Sequence, residues 1–318
     1  MTLPQNFQSG VSLTANIAGQ SYNMNDRQSI FLEFYDLGLA NIRRVAQRAP
    51  GQDGDSDLGG IVEPRYIDLA WLINGRDLPH YRELRQMIMT VFRRRENDPV
   101  QLVFDFGGGV VRAADVYLDG QMDWRGREYT QERTSGIFKA SDPRLYDPEV
   151  RTVSFNLLPD SGGLPIPFTI PIPIGADALN VTETVTYAGA SKLAAAEYPV
   201  IIVYGPIDSP VVENLTTGEQ IALTAEGGLS LAAGQFAIID LSGFPRRDNK
   251  TIRDQDGSSV AQHLSTDSDL ATWHLAFAGE KLTDGSYATG ANILRVQGAN
   301  VTINSRVTIR YYDRYEGI

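Results

Sequence analysis

The sequence contains no cysteine and only three histidines, His80, His263 and His274. The first absence excludes any disulfide framework and any thiolate metal site. The second leaves no HxH, no HExxH and no histidine pair at helical-turn spacing, so the donor pattern of a zinc centre is not there. Long apolar runs are missing too: no window approaches the roughly 18 apolar residues of a membrane span. The opening stretch "MTLPQNFQSGVSLTANIAGQ" lacks the basic and apolar regions of a secretory signal, and the chain is expected to be soluble and made in a cytoplasm. Basic charge is in short supply, with 28 Lys and Arg against 39 Asp and Glu and a formal net charge of −11. A nucleic-acid-binding surface needs a basic stripe to neutralise phosphates, and this balance argues against one.

What is present is alternation. The 318 residues suffice for two domains, and most segments read as short strands. "SIFLEFYDLGLANIRRVAQRA" reads as strands, and "PGQDGDSDLGG" at 50–60 reads as a mobile loop or arm. "RYIDLAWLING" is strand-like. The following "RDLPHYRELRQMIMTVFRRRENDP" is the one convincing helix, with Leu84, Met87, Ile88 and Val91 on one stripe and Asp77 and Pro79 suited to its start. Arg93, Arg94 and Arg95 are expected in its last turn, opposing the negative end of the helix dipole. "VQLVFDF" and "VVRAADVYLDG", joined by Gly107–Gly109, form a hairpin signal. The prolines of "GGLPIPFTIPIPIG" at 162–175 forbid helix and central strand, leaving an extended linker or edge segment. Beyond it no helix is expected. "NVTETVTY", "YPVIIVYGPI", "PVVENLTTGEQIALT", "GQFAIIDLSG", "TWHLAFAG", "ANILRVQGA" and "NVTINSRVTIRYYDRY" read as the strands of a jelly-roll β-sandwich.

Candidate chemistry is thin. "DGDSDLGGIVEP" starts like a calcium loop, with Asp53, Asp55 and Asp57 at alternate positions. It then fails, because Leu58 stands where glycine is needed and Pro64 where a bidentate Glu belongs. In "KASDPRLYDPEV", Asp142, Asp147 and Glu149 could serve as metal or acid–base carboxylates. Two Asp-Pro pairs instead favour turns in which each aspartate caps its own backbone. Asp267 and Asp269 between His263 and His274 make a weak metal pairing. Gly228–Ala232 approaches a nucleophile elbow without its final glycine or a following helix. No catalytic residue, cofactor site or metal site is assigned.

The order of these features resembles the distal tail proteins (Dit) of long, non-contractile-tailed bacteriophages. The stretch "INGRDLPHYRELRQMIMTVFRRRENDPVQLVFDFGGGVVRAADVYL" is similar to that family's helix, proline, strand, Gly-rich turn and strand. "GIFKASDPRLYDPE" resembles the strand closing its first domain. "AAAEYPVIIVYGPIDSPVVENLTTGEQIAL", the "IID" strand of "GQFAIIDLSG", "TGANILRVQG" with Thr289 in place of proline, and the aromatic "VTIRYYDRYEGI" resemble elements of its second half. The elongated loop at 50–60 and the insertion-like "GEKLTDGSYATGAN" depart from the pattern, at places where a member would carry contacts of its own.

The resemblance implies a mainly β chain. An N-terminal β-sandwich or split-barrel domain with one helix, residues 1–148, would form a ring. A galectin-like jelly-roll sandwich, residues 149–318, would follow with a proline-rich linker at its start. It implies a non-enzymatic virion protein of the tail tip, assembled in the host cytoplasm as a homohexameric ring that joins the tail tube to the host-adsorption device. DNA would pass its lumen without specific binding. Its expected partners are the tail tube protein, the tape-measure protein, the tail-associated hub or lysin and receptor-binding proteins, with no membrane. The alternative is a carbohydrate-binding module for host-surface recognition, with Trp273 and His274 as candidate sugar or partner contacts. Asp142, Pro143, Tyr146 and Pro148 are expected at the interdomain joint, with Tyr146 packing as its anchor.

Overall fold

The computed structural model describes residues 10–48, 53, 55–93, 98–157, 181–187, 194–242 and 250–317, and of Arg127 only the backbone. The proline-rich stretch at 162–175 lies outside these residues, as do Arg94 and Arg95. The chain forms two compact units, residues 1–148 with 315–318 and residues 149–314. Among the described residues there is one α-helix, and it is not long and apolar enough to cross a membrane.

The first unit opens with strands β1 (Ser12–Ile17), β2 (Gln20–Asn23) and β3 (Ile30–Asp36). An antiparallel ribbon follows, β4 (Ile42–Gln47) and β5 (Ser56–Val62), which pair only with each other. Then come β6 (Arg65–Asn74), α1 (Leu78–Val91), β7 (Val100–Asp105), β8 (Val111–Glu128), β9 (Gln131–Ala140) and β10 (Leu145–Tyr146). One sheet runs β2-β1-β7-β8-β9-β6-β3, with β10 added against β8. Its inward side chains, from Leu13 on β1 to Leu32 on β3, share one core. The rings of Tyr35 on β3 and Phe104 on β7, from well-separated strands of this order, lie 6.4 Å apart, so the sheet curls around that core. This accords with a split-barrel topology.

Strict alternation drives these strands: Leu13, Ala15 and Ile17 point inward from β1, and Leu102 and Phe104 from β7. Helix α1 covers the core with Tyr81, Ile88 and Val91. Asp77 caps it by accepting the His80 N–H at 2.8 Å, and Pro79 sits in the first turn. Gly75 lets the chain turn from β6 into α1, because a Cβ there would stand 2.6 Å from Tyr81 Cβ. The helix ends earlier than the sequence suggests. Phe92 is its C-cap, buried against Trp71 and Phe138 with ring centroids 5.5 and 4.7 Å away, so Arg93 lies beyond the last turn. Gly107, Gly108 and Gly109 all take positive φ and close the β7–β8 hairpin.

The second unit contains β11 (Arg151–Asn156), β12 (Val181–Thr186), β13 (Val200–Tyr204), β14 (Ile207–Asn214), β15 (Glu219–Ala222), β16 (Ser230–Leu231), β17 (Phe236–Asp240), β18 (Thr251–Asp254), β19 (Ala291–Ala299) and β20 (Arg306–Tyr311). They make two antiparallel sheets, β11-β20-β13-β17-β18 and β12-β19-β14-β15 with β16 beside β14. Ile201, Val203, Ala237, Ile239, Val307 and Ile309 of the first sheet meet Val212, Ile221, Leu294 and Val296 of the second in one core. The mainly β class with a single helix expected from sequence is the class observed.

Three expectations are corrected. The stretch at 50–60 is not all loop, since β5 begins at Ser56 and pairs with β4 from Gln47 to Ile42. "TWHLAFAG" is not a strand. The Thr272 and Trp273 N–H groups both bond back to the Asp269 carbonyl, and the segment touches sheet-like pairing only at the Glu197–Leu275 bridge. The last four residues, expected with the second domain, belong to the first unit, where the Tyr315 ring lies under the Arg112 guanidinium at 3.6 Å.

Candidate functional site

The segment "SDPRLYDP" is fixed by three kinds of contact. Asp142 Oδ1 accepts the Arg144 N–H at 3.1 Å and its Nε–H at 3.2 Å, the turn geometry expected of Asp before proline. Tyr146 is buried, donates its hydroxyl to Asp115 at 2.8 Å and accepts from Gln101 Nε2 at 2.8 Å. The Pro143 carbonyl accepts from Arg65 Nε at 2.6 Å. Pro148, half-buried, is the last residue of the first unit before the chain enters the second.

Arg65 is the residue that sequence reading missed. Its side chain is sealed in the first unit, 2% exposed, and donates to four backbone carbonyls, those of Leu37 (2.7 Å), Gly38, Pro143 (2.6 Å) and Glu316 (2.5 Å). Burial pulls its pKa below the ordinary value, while the charge of Glu316 works the other way. A guanidinium offers five donors in a fixed fork, which is what lets one side chain satisfy three separated chain segments at once. The contact therefore ties the β3 exit, the Asp-Pro turn and the C-terminal residues together.

Trp273 is not a sugar platform. It is wholly buried in the core of the second unit, so neither face of its ring is open for stacking. Its neighbour His274 is committed elsewhere. Its Nδ1 lies 3.1 Å from Glu219 Oε2 and its Nε2 2.7 Å from Glu280 Oε1, with all three side chains largely enclosed. Burial alone lowers the imidazole pKa, but the hydrogen bonds to Glu219 and Glu280 and the charge of Glu280 outweigh it and raise the value to about 10. Burial likewise raises Glu219, yet its contacts with His274 bring it below the ordinary carboxylate range. An imidazolium clamped by two carboxylates can neither ligate a metal nor act as a base near neutrality. Asn214 and Asn292 complete the clamp by bonding to the backbone of His274 and Ala276.

The remaining motifs disperse. Asp57 pairs with exposed Arg44 at 2.9 Å and caps the Gly59 N–H. Ser230 donates to Asp208, and Asp269 accepts the Gln220 N–H. His80 accepts the Arg76 N–H, and His263 lies 3.3 Å from the Ala225 carbonyl. No group of three or more His, Asp or Glu disposed for a metal occurs among the described residues.

The surface feature that stands out is the ribbon. Every residue of β4 and β5 is exposed, although Ile42, Leu58, Ile61 and Val62 are apolar and Ile42 sits opposite Val62. A two-stranded ribbon without a core is marginally stable in water, and the ion pairs Arg43–Glu63 and Arg44–Asp57 are exposed and weak. A second apolar exposure lies on the outward side of the main sheet, at Phe34, Tyr66 and Ile137.

Residues 17–127 match the family model described as phage tail protein RIFT-related domain. Among solved structures, the chain is similar to the Dit protein of phage SPP1, described as a paradigm of the hub adsorption apparatus of phages infecting Gram-positive bacteria. The two are 11% identical with a TM-score of 0.55, over 95% of this chain and 99% of that one. It is also similar to a chain of the phage P2 baseplate in its activated conformation with calcium, at 9% identity and a TM-score of 0.50 over 97% of this chain and 99% of that one. No curated protein matches the chain. The resemblance to distal tail proteins read from the order of motifs is borne out, as a family match over residues 17–127 and as a shared fold over nearly the whole chain.

Proposed function

We propose that the chain is a structural, non-catalytic hub protein of a phage tail tip. In this reading the first unit assembles into a homohexameric ring between the tail tube and the host-adsorption device. DNA passes its lumen, and the second unit docks receptor-binding or tail-associated proteins. The observation that carries the proposal is the β4–β5 ribbon: apolar side chains on a coreless two-stranded element are stabilised when a neighbouring subunit covers them. A closed ring of identical subunits supplies that cover with one repeated contact. The similar structures, a hub protein and a baseplate chain, fit the same role. The net charge of −11 suits a conduit that does not hold DNA.

The test is the double variant Ile42→Ser/Ile61→Ser, examined by negative-stain microscopy beside the unmodified protein. The reading expects six-subunit rings in the unmodified protein and dispersed subunits of unchanged circular dichroism in the variant. Rings that persist in the variant would remove the ribbon from the interface, and no rings in either sample would overturn the proposal.

A further inference from the structure

An antiparallel sheet with one buried face is expected to carry polar residues on the other. The main sheet of the first unit departs from this around β6. Ile67, Leu69, Trp71 and Ile73 of β6 and Phe138 and Ala140 of β9 point into the core, so Tyr66, Asp68 and Ile137 point away from it. Across the strands one outward row reads Asp36, Asp68, Ile137, Asp119, on β3, β6, β9 and β8 in turn. Phe34, opposite Ala70, stands on one side of this row, and Tyr66, opposite Lys139, on the other. Phe34, Tyr66 and Ile137 are each about half exposed, and the three aspartates are exposed as well. Asp36 directly opposite Asp68 is a like-charge pair, which destabilises a sheet in water. Exposed apolar side chains interleaved with uncompensated carboxylates call for a cover that brings both apolar surface and a cation.

The β4–β5 ribbon has both. Arg43 stands opposite Ile61, so the two share one face of the ribbon, while Arg44, on the other face, is held by Asp57 at 2.9 Å. The Arg43 side chain is 65% exposed and lies 3.8 Å from Glu63, a long contact that leaves its guanidinium mostly in solvent. Strands of six and seven residues make the ribbon about 20 Å long, and a row across four strands spans about 15 Å, so one ribbon covers it. The ribbon does not cover the row of its own chain, because every residue of the ribbon is exposed and Phe34, Tyr66 and Ile137 are exposed too. Patch and ribbon therefore match in apolar content, charge and length, and each lacks its cover within one chain.

We infer that the outward row Asp36, Asp68, Ile137, Asp119 of one copy is the seat of the β4–β5 ribbon of the next. Ile61 packs against the apolar side chains of the row, and Arg43 meets the facing carboxylates of Asp36 and Asp68. The inference rests on the ring reading above and names the surface that receives the ribbon: each copy gives its ribbon to one neighbour and seats that of the other.

The absence of cysteine makes the test clean. In the full-length chain, Ile61→Cys and Ile137→Cys are made singly and together, and the thiols are bridged with a short bismaleimide. A mixture of the two single variants is expected to give two-chain products joining position 61 to position 137, at a yield about tenfold or more above that of either variant alone. The double variant is expected to give a ladder of joined chains that ends at six. Adding Asp36→Arg and Asp68→Arg, in protein of unchanged circular dichroism, is expected to cut the yield about fivefold or more. A six-chain mass by light scattering without these crosslinks would overturn this contact and leave the ring reading standing, whereas a single-chain mass would remove both. A ladder that stops at two chains would mark a reciprocal pair and overturn the contact between successive copies. Crosslinks within one chain would overturn it as well, and a yield unchanged by the two arginines would overturn the role given to Arg43.

Discussion

Each unit encloses a conspicuous cation, and Arg65 and His274 are held in opposite ways. Arg65 in the first unit is surrounded by backbone carbonyls, whereas His274 in the second is clamped between the side chains of Glu219 and Glu280. The arginine stays protonated despite its lowered pKa, so its staple is insensitive to ordinary pH. The histidine is charged only because its carboxylates hold it so, and its contribution follows both titrations. Each arrangement fixes an irregular stretch of chain that alternation alone would leave loose, the turns around β10 in one case and the segment after Trp273 in the other.

The largest expected effect comes from removing the first cation. Arg65→Met leaves four carbonyls without their donor, and we expect the first unit to lose about 4 kcal/mol, seen as faster hydrogen exchange at 37–38 and 143–146. Exchange rates in the second unit should not change, and this sharpens the comparison.

His274→Asn leaves two enclosed carboxylates facing each other and is expected to cost about 3 kcal/mol near pH 6. The pH dependence has a definite sign. The folded pKa of about 10 exceeds the unfolded 6.5, so the histidine's contribution is complete below 6.5 and is lost as pH rises through about 10. Glu219 is depressed from 4.5, so its part is present above that value and lost on acidification. Thermal melts of the two proteins across pH should therefore differ most between about 4.5 and 6.5 and converge toward pH 10. A constant difference at every pH would break the contrast with Arg65.

The smallest effect is expected at the turn. Asp142→Asn keeps an oxygen to accept the Arg144 N–H and loses one largely enclosed, charge-assisted contact, so it should cost about 1–2 kcal/mol, less than the loss of either cation. A larger loss in a urea melt would mean that the charge, rather than the turn, holds this segment.

Much of the fold was legible because period-two and helical patterns were strong. The stripe Leu84, Met87, Ile88, Val91 with Asp77 as cap located α1, and three glycines marked the β7–β8 hairpin. The ribbon was half hidden, since β5 is solvated on both faces and its Gly and Asp content reads as loop. Arg65 was invisible because its partners are backbone carbonyls, which leave no side-chain signature. The clamp on His274 joins Glu280, six residues away, to Glu219, fifty-five away, and only the folded sandwich brings them together. Trp273 misled because an aromatic beside a polar residue suggested an exposed binding pair, while its ring fills the core.

The proposed hexameric ring requires that neighbouring copies cover the ribbon of the first unit. Light scattering on the size-exclusion peak of the full-length protein tests it most directly. The expected mass is six times that of the 34.9 kDa chain, collapsing to a single chain in Ile42→Ser/Ile61→Ser. A monomeric mass for the unmodified protein at high concentration would contradict it.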